Sequence, residues 1–256
     1  MSSITQSIRD TATMTGRIMK HALRSADTIT TVVVMPVFIM VMFVYVFGKS
    51  INTGSVDYIN YVVPGIILMS LANGAAYAAL RLNNDVTKGI INRFRTMPIT
   101  KSSVLSGHVI SSTILNLVSA VIVVGVAWVM GFRSDASLAN WLLAGGLLAL
   151  TTFSLSWLSM IFGLIAKGVE GASAFSYVLI LLIFLSSAFA PTDGMQDVIK
   201  FIAEHQPITP VADTLRSLLT DNQLGDQAMS AVIWTTGLLA ASYVTAVSIY
   251  KHKTIK

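Results

Sequence analysis

Six stretches of the chain stay apolar for long enough to cross a bilayer, which takes about 20 residues of helix. They lie at roughly 29–48, 58–80, 107–131, 140–166, 172–190 and 229–250, and none carries a Lys, Arg, Asp or Glu in its central part. Pro36 and Pro64 fall inside the first two, where packing against neighbouring helices can satisfy the carbonyls that proline frees. Two further segments alternate at helical spacing without reaching span length. Residues 3–27 set Ile4, Ile8, Ile18, Met19, Ala22 and Ala26 on one face and Arg9, Arg17, Lys20 and Arg24 on another. This pattern predicts an amphipathic helix (residues 1–28) lying on a membrane surface, its cations among anionic headgroups; the bland alternative is a basic tail. The segment 191–228 places Met195, Val198, Ile199 and Ile202 on one face, then Pro207 and Pro210, then Val211, Leu215, Leu218 and Leu219. Each piece is too short to span, so a pair of short helices dipping into the outer leaflet is expected.

The expected fold class is therefore an all-α membrane protein. It has six transmembrane helices over 29–256, an N-terminal interfacial helix and an outer re-entrant hairpin. Composition agrees: 54% of the residues are hydrophobic and 11% charged, against about 25% charged in a soluble domain. Too few charges remain to coat a water-facing surface. The net charge of +5 points to the membrane and not to nucleic acid, because of where the cations fall. With the N-terminus inside, the cytoplasmic segments hold 13 Lys and Arg and the outer loops four: Lys49, Arg133, Lys200 and Arg216. That asymmetry puts both termini in the cytoplasm of a cell whose plasma (inner) membrane holds the chain. The first 28 residues are polar and do not read as a cleavable signal peptide.

Signatures of chemistry are mostly missing. There is no cysteine, and His21, His108, His205 and His252 share no metal-binding spacing, so neither a metal site nor a catalytic group is expected. The chain contains no G-x-x-x-x-G-K-[ST] loop and so no phosphate cradle of that kind for ATP. The spans hold uncharged polar residues such as Asn73, Asn116, Ser154, Ser156, Ser186 and Ser187. Ion-driven pumps usually keep ionisable groups there. Active transport would then need a separate motor; passive conduction stays open.

The loop 81–103, RLNNDVTKGIINRFRTMPITKSS, carries the most information. Its charge alone means only that it is cytoplasmic. Its order suggests a short helix from Asp85 to Phe94 presenting Val86, Ile90, Ile91 and Phe94 among cations, stopped by Met97-Pro98. Exposed apolar residues among cations make a plausible knob for a protein socket.

This loop resembles the coupling loop of type-2 ABC exporter permeases, and of their daunorubicin-resistance-type branch in particular. Lys88-Gly89-Ile90-Ile91, Arg93-Phe94-Arg95 and Pro98 match, while Asn92 stands where that family usually has an acid. A second match follows the fifth span: Ser187-Ala188-Phe189-Ala190-Pro191, then Gln206-Pro207-Ile208-Thr209-Pro210, then Leu215-Arg216-Ser217-Leu218-Leu219. Gln196 departs from the proline usual after Met195. The resemblance covers essentially the whole chain. It implies a permease that pairs with two copies of a separate ABC ATPase and with a second permease, itself or a related chain. The chain would bind no cofactor of its own, ATP and Mg entering through the partner. It also implies ATPase coupling through Asp85, Lys88, Gly89, Ile91, Asn92, Arg93, Phe94, Arg95 and Pro98. Candidates for the substrate path and outer gate are Phe38, Phe43, Ser186, Ser187, Phe189, Ile199, Ile202, Pro207 and Pro210. The reading is export of an amphiphilic substrate such as a drug, lipid or peptide. The alternatives are a polysaccharide or lipid-linked glycan exporter, and a passive channel or scaffold without a motor.

Overall fold

The structure, a computed structural model, describes residues 4–48, 57–91 and 101–255. Nine helices account for most of these residues: α1 Ile4–Leu23, α2 Ala26–Phe47, α3 Tyr58–Thr87, α4 Lys101–Val129, α5 Leu138–Ile165, α6 Val169–Phe184, α7 Asp197–Glu204, α8 Ile208–Arg216 and α9 Ala228–Ile255. Five of them (α2, α3, α4, α5 and α9) are long and apolar enough to cross a membrane. The fifth expected span, 172–190, is a helix of 16 residues. At 1.5 Å per residue that is about 24 Å, short of the roughly 30 Å of a hydrocarbon core. Leu185 to Ala190 continue it as turns that lead into α7 and α8.

Helix α3 is the axis of the bundle. Its most apolar stretch is 89% buried, against 17% in α2 and in α9. The cause is compositional: Gly65, Ser70, Ala72, Gly74, Ala75, Ala76, Ala78 and Ala79 give it a narrow profile that lets α2, α4, α5 and α6 close around it. The outer faces of α2 and α9 stay apolar and exposed, suited to lipid or to another protein chain.

Proline in α2 is accommodated as an apolar solvent requires. Pro36 has no N–H to give the carbonyl of Val32, and Val32 lies in a widened, π-helical turn, Thr30–Val34. That carbonyl accepts instead from Ser70 of α3 at 3.0 Å and from Ser119 of α4 at 2.5 Å, and the two hydroxyls lie 2.7 Å apart. One helix break thus ties three helices together. Asn83 does the same for the end of α5, donating to the carbonyls of Gly163 (3.2 Å) and Ala166 (2.7 Å) that have no partner within the helix.

Both chain termini lie at one end of the bundle. Ala246 and Tyr250 of α9 share an apolar cluster with Leu82, Ile91, Val104, Leu105 and Trp157, and α1 lies against the start of α4. The contact seam of α1 is Met14, Ile18 and Ala22. It is set by Gly107, whose missing Cβ leaves room for Met14; a Cβ there would come within 2.8 Å of the Met14 Cβ. The hydroxyl of Ser111 reaches the Thr15 carbonyl at 3.2 Å. Ile8, expected on the same apolar face, lies off this seam and is 66% exposed.

Candidate functional site

Two sites stand out, one at each end. At the end carrying the termini, α3 outlasts its apolar run by about two turns, and Arg81, Asn84, Asp85 and Lys88 project there. Together with Arg17, Lys20, His21 and Arg24 of α1 and with His108 of α4 they surround a cavity of about 640 Å³. Asp85 pairs with His108 at 3.2 Å, and His108 is buried. Arg81 lies over the Tyr77 ring, 4.8 Å from its centroid, and the Tyr77 hydroxyl sits 3.4 Å from Ser25, the residue that caps α2. The cavity therefore joins α1, α2, α3 and α4.

The loop after α3 begins here. Lys88 ends the helix, and Gly89 at φ +69° turns the chain in the left-handed conformation that suits glycine. The expected helix from Asp85 to Phe94 is therefore divided: Asp85 to Thr87 close α3, and helical backbone resumes at Ile90 and Ile91. Val86 and Ile91 pack inward on the Leu82–Leu105 cluster and do not project as a knob. Asn92, Arg93, Phe94, Arg95 and Pro98 lie outside the described residues.

At the opposite end the chain from Leu185 to Asn222 folds against α3 and α5. Gln206 begins the lock: its amide donates to the carbonyls of Leu182 (2.7 Å) and Leu185 (3.1 Å) at the end of α6. Thr209 donates to the Ala203 carbonyl and accepts from the Ser187 amide, joining the two short helices to the turn before them. Pro207 starts α8 and Pro210 sits in its first turn, where a missing N–H costs nothing. Arg216 then reaches back. It pairs with Asp213 at 2.6 Å, donates to the carbonyls of Ser187 (2.8 Å) and Tyr61 (3.3 Å), and lies 3.8 Å from the Tyr61 ring centroid. Ser187 donates to the same Asp213 oxygen at 2.6 Å, and Tyr61 donates to the Ser187 carbonyl at 2.9 Å. Gly65 admits this contact, since a Cβ there would strike the Ala188 carbonyl. Past α8, Asn222 in the left-handed conformation receives the Ser137 amide (2.8 Å) and the Asn140 side chain (2.7 Å) at the start of α5. Lys200 donates to Asp193 at 2.9 Å and holds its carboxyl below the usual range, an exposed tether that weakens as pH falls through that lowered value.

The candidate path residues distribute unevenly over this frame. Phe43 and Phe189 stack at 4.7 Å, and Phe184 joins them, 5.0 Å from Phe189. Ser186 and Ser187 are buried in the turn, hydrogen-bonded to the Ile183 carbonyl and to Asp213. Phe38 faces outward from α2. Ile199 and Ile202 lie on the exposed side of α7 with Val198 and Phe201. Tyr61, Gln206, Thr209, Asp213 and Arg216 were not among the expected site residues. The signal available for the last pair was Asp213-x-x-Arg216, opposite charges one helical turn apart in an apolar run.

Among the described residues no three His, Cys, Asp or Glu side chains gather as a metal site. The polar groups tie helices together, which defines an all-α multi-pass membrane protein built around one central helix. The chain belongs to the ABC-2 type transporter family, whose sequence model matches residues 9–220. It is a transmembrane subunit of an ABC transporter. It is similar to a daunorubicin resistance ABC transporter permease of Streptomyces coeruleorubidus, 25% identical over 228 residues, 88% of this chain and 77% of that one. A "probable doxorubicin resistance ABC transporter permease" of Mycobacterium tuberculosis is 22% identical over 235 residues, 90% of this chain and 84% of that one. A "putative transport permease" of Porphyra purpurea is 23% identical over 219 residues, 84% of this chain and 75% of that one.

Proposed function

We propose that this chain is the permease of an ATP-driven exporter that moves an amphiphilic substrate out of the cell, with hydrolysis in a separate ABC ATPase. Two permeases, identical or related, and two ATPases complete the assembly. Both termini face the cytoplasm of the cell that holds the chain in its inner membrane. The carrying observation is that the two elements accessible to a motor converge at one end: α1, seated across Gly107, and the loop leaving α3 at Gly89. Force applied to either enters α3 and α4 directly. Those helices meet the α2 proline turn through Ser70 and Ser119. The names of the relatives, resistance permeases for anthracyclines, favour a planar amphiphilic drug as substrate.

In this reading Phe43, Phe184 and Phe189 form an aromatic contact at the exit side of the path, and the 191–228 hairpin closes it. The test is co-reconstitution with the ATPase in proteoliposomes. Anthracycline should stimulate hydrolysis and accumulate on the side opposite the ATPase, and failure of both with an intact complex would reject the reading.

A further inference from the structure

The cavity between α1 and α3 is strongly cationic: among the described residues that line it, Lys20, Arg24, Arg81 and Lys88 join Arg17, whose charge acts on Asp85, the one acid there, and that carboxylate is engaged by His108 at 3.2 Å. The cations around about 640 Å³ outnumber the one carboxylate there, so entry of a further anion is favoured. Arg81 makes the need specific. Its Nη2 donates to Thr28 at 3.4 Å, a long bond, while its buried Nε meets no acceptor among the described residues. A buried guanidinium donor calls for an oxygen acceptor, and phosphate oxygens fit its fork. The level of the cavity in the bundle names the source. Arg81 directly follows the apolar run of α3, Ser25 caps the start of α2, and Leu23 and Ile29, close in sequence to the lining residues Arg24 and Ser25, are exposed. A group held here has its phosphate among the cations and its glycerol and chains beside apolar side chains.

We propose that this cavity is a binding site for one anionic phospholipid headgroup from the adjoining leaflet, with Arg81 as the phosphate ligand at its base and Lys20 and Arg24 as outer ligands. Such a lipid cross-links α1 to α3 without protein contact. The proposal stands whether or not the substrate is a drug, because it concerns a lipid that stays in place.

The full chain in detergent would be titrated with short-chain phosphatidylglycerol, with phosphatidylcholine of equal chain length, and with inorganic phosphate, reading single-lipid adducts by native mass spectrometry and Tm. Phosphatidylglycerol should bind at least tenfold tighter than phosphatidylcholine and raise Tm. The paired variant Lys20→Gln/Arg24→Gln, on the exposed side of α1, should weaken it by about fivefold per cation removed. Arg81→Gln should abolish the preference. Arg9→Gln/Lys251→Gln removes the same charge outside the cavity and should leave binding unchanged. Equal weakening in that control pair would reduce the effect to general surface charge and overturn the site. Equal stabilisation by inorganic phosphate would make it a soluble-phosphate site and overturn the headgroup assignment. If only the ATPase subunit stabilised the chain, with no preference between lipids, the cavity would be a socket for acidic protein side chains and the proposal would fall.

Discussion

Replacing Arg216 by Met leaves the helical backbone intact and removes the cation that holds the 185–222 segment against α3. Four contacts go with it: the Asp213 pair, donation to the Ser187 and Tyr61 carbonyls, and the Tyr61 ring. The Asp213 carboxylate is 32% exposed, so the ion pair is discounted to about 1 kcal/mol. Each charge-assisted bond to a carbonyl contributes about 1.5 kcal/mol, and the ring contact about 1 kcal/mol. The Ser187 carbonyl keeps the Tyr61 hydroxyl, and Met refills part of the volume, which brings the expected loss to about 3 kcal/mol. That corresponds to roughly a hundredfold rise in the population with the segment detached. Amide hydrogen exchange on the chain in nanodiscs measures it directly: amides 186–189 and 208–216 should exchange roughly a hundredfold faster, and those of α3 and α4 should not change. Arg216→Lys keeps the charge and loses the planar fork, so about a tenfold effect is expected. Exchange within about threefold of wild type in Arg216→Met would refute the lock, because contacts worth so little could not hold the segment.

Three further outcomes are expected. With no native cysteine, single Cys probes at positions 49, 133 and 200 should react with an impermeant thiol reagent in intact cells, and probes at 88, 167 and 253 only after permeabilisation; external labelling at 88 would reverse the orientation. Ile199→Asp with Ile202→Asp places two charges on the apolar side of α7, and should impair or uncouple export at normal membrane insertion, whereas wild-type transport and basal hydrolysis would remove α7 from the gate. Phe94→Ala and Arg93→Glu should leave insertion intact while lowering ATPase co-purification or substrate-stimulated hydrolysis by tenfold or more, the range of an interface anchor; normal values for both in the double variant would exclude the loop from coupling.

The apolar runs determined the class of molecule and nearly all of its long helices, because in hydrocarbon a backbone has few ways to satisfy itself other than as helix. The short helices of 191–228 were equally legible, since Pro207 and Pro210 punctuate them and neither piece reaches span length. Pairings between segments distant in the chain were not legible. Pro36 announces a freed carbonyl at Val32, yet nothing local says that Ser70 and Ser119, 38 and 87 residues from it, supply the hydroxyls. Arg216 counted as one more outer-loop cation until packing set it on Tyr61, 155 residues away, and Arg81 as a topology marker until α1 closed a cavity over it. Hydropathy is a property of a segment, and one chain suffices to read it. Whether a serine, an arginine or a glutamine in that chain is solvated, paired or left without an acceptor depends on which helices lie beside it, and close packing around α3 decides that.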